Sequence, residues 1–167
     1  MVKQITQKRL ENVALYYLQR YESSAFKLQN VLLRRVMRAK MQQQDIPSEV
    51  HEWIRQIVEK MQHLGYVDDT RYAQNQFRIL SGSGKSAHYI YQKLKQDGID
   101  PQIIENLYAD QTPQETDLES AKRLVKKKKM GLYRAEQERA LMFKKDLAVL
   151  ARAGFSYEIA CHALQES

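Results

Sequence analysis

The sequence predicts an all-α chain of three tandem three-helix units, and three observations carry that reading. One phrase recurs: an apolar helix pattern, a glycine, a large apolar residue and a new helix start, at Met61–Tyr66, Leu94–Ile99 and Leu150–Phe155. Glycine ends helices because it enters the left-handed C′ conformation without a Cβ clash, and an apolar residue after it can fold back on the last turn. No segment alternates apolar and polar residues with the period of two that a half-buried strand requires. Only 6 Gly and 3 Pro punctuate 167 residues, of which 43% are apolar and 28% charged. A supersecondary unit repeated in this way points to a helical array, not to an enzyme core with a cleft, and biases the functional reading toward binding.

The first unit is expected over residues 1–66. Leu10, Val13, Ala14, Tyr17, Leu18 and Tyr21 recur at helical spacing, and Ser23 or Ser24 can cap a second helix. That helix carries Leu28, Val31, Leu32 and Val36 on one side and Arg34, Arg35, Arg38 and Lys40 elsewhere. Gln42–Pro47 is a break, with Pro47 suited to the first turn of the third helix. Val50, Trp53, Ile54, Ile57, Val58, Met61 and Leu64 then form the clearest apolar stripe, ended by Gly65.

The second unit is expected over residues 67–111. Asp68 or Asp69 caps a helix running to about Leu80, and the loop Ser81–Gly84 comes next. Ala87, Ile90, Tyr91 and Leu94 face inward on the next helix, stopped by Gly98; Asp100-Pro101 opens the last, through Ile103, Ile104, Leu107 and Tyr108. After a linker at Asp110–Glu115, the third unit takes residues 112–167. It starts with Ala121, Leu124 and Val125, but the next inward position is Lys128, so that helix is expected to leave its core there. Ala140, Phe143, Leu147, Leu150 and Ala151 form the next stripe; Ser156 caps the final helix with Ile159, Ala160 and Ala163 inside.

Charge is divided along the chain. Residues 1–40 carry nine Lys/Arg against two Asp/Glu, a net +7; residues 41–119 carry seven against thirteen, a net −6. Residues 120–152 carry eleven against three, a net +8. Two basic blocks thus flank an acidic middle, which suits a polyanionic partner at the ends and argues against wrapping of nucleic acid throughout. No stretch approaches a transmembrane length, and Met1-Val-Lys-Gln-Ile lacks the apolar core of a signal peptide. The single Cys161 cannot form an internal disulfide, and His51, His63, His88 and His162 do not fall at metal-ligand spacing. A cytoplasmic protein without cofactor or metal is the expectation.

Gly82-Ser-Gly84-Lys85-Ser86 ends like a phosphate-binding loop. The full pattern needs a glycine where Ile79 stands and a buried strand leading in, so a helix connection capped by Ser83 or Ser86 is the reading here. Adjacent Asp68 and Asp69 read as caps, since neighbouring carboxylates rarely face one site. The basic block is the strongest interaction signal. Lys122, Arg123, Lys126, Lys127, Lys128, Lys129, Arg134, Arg139, Lys144, Lys145 and Arg152 cannot all pair with the three acids among them. Phosphate contact needs several cations on one surface without fixed spacing, and Tyr133 could stack a base beside them. Acidic protein surfaces would satisfy the same cations.

The segment Leu64-Gly-Tyr-Val-Asp68-Asp69-Thr-Arg71-Tyr72-Ala73 resembles the RecX family, bacterial modulators of the RecA recombinase. Leu18-Gln-Arg20 with Ser23, Ser24 and Leu28, then Ile90, Leu94, Gly98 and Ile99, then Leu150–Phe155 with Ile159 and Leu164, extend the likeness over about residues 12–165. The family places an acidic residue before the leucine that Leu28 matches; Lys27 stands there in this chain. The resemblance implies a non-enzymatic, monomeric protein of three tandem three-helix units, elongated and curved. It implies docking along the RecA–single-stranded DNA filament and changes in its ATPase, assembly and strand exchange, inhibition above all. On that footing Lys122, Arg123, Lys126–Lys129, Lys144, Lys145 and Arg152 are expected to meet the anionic partner, with Arg71 and Tyr72 as further contacts. A stand-alone, sequence-nonspecific single-stranded DNA-binding protein is the alternative, and it leaves the acidic middle unexplained.

Overall fold

The computed structural model describes residues 4–109 and 117–165. Its regular structure is nine α-helices and one 3₁₀ turn, with no strand among the described residues. The helices are α1 Gln7–Leu18, α2 Ala25–Met41, α3 Val50–His63, α4 Asp69–Gly82, α5 Ala87–Gln96, α6 Pro101–Ala109, α7 Asp117–Lys127, α8 Glu136–Arg152 and α9 Tyr157–Gln165; the 3₁₀ turn is Gly131–Tyr133. The expected linker Asp110–Glu115 lies outside the described residues. Two compact units emerge, Met1–Ala73 with Asp97–Ile103, and Gln74–Gln96 with Ile104–Ser167.

In the first unit α1, α2 and α3 pack together, burying Leu10, Leu28, Leu32, Ile54, Ile57 and Met61 as its core. These are the positions the three-and-four spacing selects, because only such residues share one helix face. Two expectations about the end of α3 fail. Leu64 and Tyr66 are both more than half exposed, and Val67 is buried in their place. The Tyr66 and Val67 N–H groups both reach the Met61 carbonyl, at 2.9 and 3.2 Å. That tight reversal swings Val67, one residue past the expected position, onto the core.

The start of α2 is satisfied from far away in sequence. Ser24 Oγ accepts from the Lys27 N–H at 3.2 Å and donates to the Asp97 carbonyl, while the Ala25 N–H donates to Asp69 Oδ1 at 2.8 Å. Gly98 comes after that carbonyl with φ +78, and a Cβ there would collide with the Phe26 side chain. The neighbouring Asp68 accepts from the Arg71 N–H at 2.9 Å, so the two adjacent aspartates cap two different helices.

The second unit repeats this arrangement at the start of α5. Ser86 Oγ accepts from the Tyr89 N–H at 3.1 Å and donates to the Gly154 carbonyl at 2.8 Å; the Ala87 N–H donates to Asp117 Oδ1 at 3.0 Å. Gly154, φ +95, leaves no room for a Cβ against Tyr89. Ser86 therefore caps a helix, as expected, and no strand leads into the Gly82–Ser86 loop; α4 runs two residues past its expected end. Ala121, Leu124, Val125, Met130, Leu150, Phe155, Ala160 and Leu164 are core of this unit. Ala140 and Ala151, expected in the α8 stripe, are exposed, while Phe143 and Leu147 are half-buried and Leu150 fully buried.

Asp146 supplies the buried charge on α8. Arg134 grips it with two hydrogen bonds of 2.8 and 2.9 Å, and the Gly131 N–H adds a third at 3.1 Å. The bonds from Arg134, with that of Gly131, hold the carboxyl below the usual aspartate range against the opposing cost of burial. Arg134, expected among the free cations, is a structural partner.

This packing sets two expected outcomes. Asp146→Asn should cost about 2 kcal/mol in denaturant unfolding, less than a fully buried pair, because Arg134 keeps 22% of its side chain in water. Since the folded carboxyl titrates below its unfolded counterpart, the pair's contribution is complete above the ordinary aspartate value of about 3.9 and fades as pH falls below it. An unchanged acid-unfolding profile in Asp146→Asn would refute that assignment. Gln43, the residue after the α2 cap, adopts φ +57 while the Gln44 N–H closes on the Ala39 carbonyl at 3.1 Å. Gln43→Gly should raise stability by about 0.5–1 kcal/mol, read from the urea midpoint, whereas Gln43→Ala should give no such gain.

Candidate anion-binding surface

The basic segment occupies the end of α7 and the turn beyond it. Lys126 and Lys127 stand in the last helical turn, where cations complement the backbone dipole, and all four of Lys126–Lys129 are exposed. Lys128 is exposed as expected but for another reason: α7 ends at Lys127. Lys129 takes the left-handed conformation at φ +52, and the Met130 N–H returns to the Val125 carbonyl at 3.0 Å. Burial of Met130 in the core then pins the lysine turn from its far side.

The Arg134–Asp146 clamp fixes this turn to α8. Gly131, two residues past Lys129, donates to Asp146, and Asp146 directly follows the exposed Lys144 and Lys145 in sequence. Arg139 adds bonds of 3.1 Å to the carbonyls of Leu132 and Arg134, holding the 3₁₀ turn with Tyr133 exposed on it. Among the described residues Lys126–Lys129, Lys144 and Lys145 lie within ion-pair distance of no carboxylate. The buried ion pair thus ties the turn after α7, which follows four consecutive lysines, to the part of α8 that carries Lys144 and Lys145. Lys122 and Arg123, one turn before Lys126 and Lys127 on α7, already engage other groups of the chain. Arg152 is exposed at the end of α8, where its carbonyl accepts from Lys85 Nζ at 3.1 Å.

Arg71 and Tyr72 belong elsewhere. Arg71 donates to the Gly65 carbonyl at 3.1 Å and lies 3.8 Å from Glu22, tying the end of α3 to the α1–α2 connection while remaining half exposed. Tyr72 is 1% exposed and cannot serve as a contact surface. Its hydroxyl accepts from Lys27 Nζ at 2.8 Å and donates to Asp97 Oδ2 at 2.7 Å. Burial, followed by the hydrogen bond to Asp97, pushes the phenol well above its usual range, so it stays a donor. Lys27, the departure from the family pattern, is therefore the outer member of a Lys27–Tyr72–Asp97 chain inside the first unit. The sequence held a signal for this that charge counting passed over: a lone cation on the Leu28 side of an otherwise apolar helix start.

No group of three or more metal-ligating side chains gathers among the described residues, and none of their helices is long and apolar enough to cross a membrane.

No family model matches the chain. A regulatory protein RecX of Myxococcus xanthus (strain DK1622) is 36% identical over 159 residues, covering 95% of this chain and 85% of that protein. A regulatory protein RecX of Streptococcus mutans is 30% identical over 158 residues; the match takes 93% of this chain but only 54% of that longer relative. The crystal structure of RecX from Lactobacillus salivarius superposes with a TM-score of 0.58, covering 95% of this chain and 94% of that one at 22% identity, a likeness of fold. With more than a third of its residues shared with the Myxococcus protein over nearly its whole length, this all-α chain belongs to the RecX family of regulatory proteins.

Proposed function

We propose that this chain is a monomeric, cytoplasmic, non-enzymatic modulator of RecA that binds the RecA–single-stranded DNA filament and inhibits its assembly, ATPase and strand exchange. The observation that carries the reading, beside family membership, is the set of six lysines at 126–129, 144 and 145 without carboxylate partners among the described residues. Cations held in this way gain more from an external polyanion than from solvent, through release of its counterions. The division into three-helix units at residues 1–66, 67–111 and 112–167 is part of the proposal. It is supported by the matching serine–aspartate–glycine arrangements at the starts of α2 and α5. A protein that holds more than one filament subunit binds the filament more tightly than free RecA, because its second contact is intramolecular. Preference for one subunit geometry then shifts the filament toward that state without any contact with nucleotide.

The test is the ATPase rate of RecA on single-stranded DNA, titrated with this chain. Loss of activity well below one chain per RecA is expected. Tight DNA binding with no effect on RecA at saturation would establish the stand-alone DNA-binding alternative instead. A variant carrying Lys126→Ala, Lys127→Ala, Lys128→Ala and Lys129→Gly should bind the filament more weakly. Its log-affinity slope against log salt should be shallower by about 0.7 for each lost phosphate contact. Because Lys129→Gly also relieves a positive φ, folded stability should stay within about 1 kcal/mol of the parent. Unchanged affinity at low salt would remove this surface from the mechanism.

A further inference from the structure

Between the end of α2 and the start of α3 lies a groove of about 490 Å³, walled by Leu33, Val36, Met37, Ile46, Pro47 and Val50. It is distinct in composition from the lysine surface. Met37 is 57% exposed on its edge and Met41, one turn further, 81% exposed. Unbranched, polarizable methionine left in water at a groove mouth suits contact with another polypeptide. Helix α2 carries Lys27, Arg34, Arg35, Arg38 and Lys40 and no acidic residue. By helical spacing Arg34 stands one turn before Met37, and Lys40 lines the groove itself, opposite His51. Among the described residues Arg34, Arg38 and Lys40 are within ion-pair distance of no carboxylate. On the lining itself Asp45 offsets Lys40, and the excess positive charge comes from Arg34 and Arg38 on the adjoining exposed surface of α2.

The groove also holds an unfilled polar group. Gln44 lines it, and its Oε1 is shielded from solvent without a donor among the described residues; its Nε2 makes only a long 3.4 Å contact to Gln42 Oε1. A buried carbonyl left without a donor is costly, and an N–H brought into the groove recovers part of that cost.

We propose that this groove binds an acidic peptide segment of a partner protein, seating an apolar side chain against Met37, Ile46 and Val50. Its carboxylates meet Arg34 and Lys40, and a backbone N–H meets Gln44 Oε1 after a small rotation of that side chain. Nucleic acid fits less well: a phosphodiester chain would use the cations, but its bases stack best on aromatic rings and the apolar wall is aliphatic. A neutral apolar peptide would leave Arg34 and Lys40 unused. None of these contacts depends on the RecA reading.

The test is fluorescence anisotropy with a labelled synthetic peptide, a Leu-Phe pair flanked by Glu and Asp, against the full chain. Saturable binding is expected, weakened about tenfold in Arg34→Gln/Lys40→Gln and severalfold in Met37→Ala, with far-ultraviolet circular dichroism confirming that both variants fold. Gln44→Met should raise the thermal midpoint of the free chain and weaken peptide binding. The Lys126–Lys129 variant should bind the peptide normally, which separates this site from the filament surface. Absence of saturable binding, affinity unchanged in Arg34→Gln/Lys40→Gln, or displacement of the peptide by an unlabelled single-stranded oligonucleotide would overturn the proposal.

Discussion

Two helix starts, those of α2 and α5, cannot be completed by their own neighbourhoods, and much of the architecture answers that requirement. The first N–H groups of a helix have no intrahelical partner, and burying them unpaired is expensive. A serine at the cap takes one of them, an aspartate from a later helix takes another, and the serine hydroxyl directs its proton to a carbonyl beside a later glycine. Each contact is worth roughly 1 kcal/mol alone. Together they constrain where Asp69 and Asp97 must stand relative to α2, and Asp117 and Gly154 relative to α5. The glycines matter here for want of a side chain, since Phe26 and Tyr89 occupy the space a Cβ would take. The two versions differ by one residue in register: the first uses the carbonyl before the glycine, the second the glycine's own.

The lysine surface depends on a similar local constraint. Four consecutive unpaired ammonium groups repel one another, and a turn that concentrates them needs an anchor that does not consume them. Arg134 and Asp146 provide it out of the block's own residues, which is why counting charges overstates the cations available for binding. The buried carboxylate is satisfied by three hydrogen bonds, two from Arg134 and one from the backbone at Gly131, so the turn carrying Lys129 is fixed while the lysines themselves stay in solvent. Breaking the pair would therefore loosen the surface as well as lower stability.

The helices were legible in the sequence because apolar spacing reports one helix face directly. Leu10, Leu28, Ile54, Ile57, Leu94, Leu124 and Leu150 all lie in the core where periodicity puts them. What was missed involves single polar atoms. Asp68 and Asp69 look interchangeable as letters, yet one caps its own helix and the other caps a helix 44 residues earlier. Tyr72 sits beside Arg71 in a polar-looking stretch and is nevertheless buried, because its hydroxyl finds Lys27 and Asp97. A further sequence signal was present and unused: Ser24-Ala25 followed by Leu28 and Leu32 has the same spacing as Ser86-Ala87 followed by Ile90 and Leu94. The glycine phrase was a less exact guide, since its first copy closes α3 with Tyr66 outside, whereas Ile99 and Phe155 in the other copies are buried.

Backbone conformation gives an independent indication of where this chain departs from its own stability optimum. Among the described residues, five glycines have positive φ, and only two other residues do, Gln43 and Lys129. Both occupy the C′ position of a helix whose closing hydrogen bonds are fully formed, at Gln44 to Ala39 and Met130 to Val125. Glycine would serve those bonds at least as well, as it does after α3 and α8, and would avoid the penalty of a left-handed side chain. Strain of this kind persists where something besides stability is being kept, and it tends to mark functional surfaces. Lys129 is one of the six lysines of the candidate filament-binding surface, and replacing it by glycine would give up a cation there. Gln43 immediately precedes Gln44 at the end of α2, on the edge of the groove assigned to an acidic peptide. Strain and charge, read separately, therefore select the same two regions of the molecule.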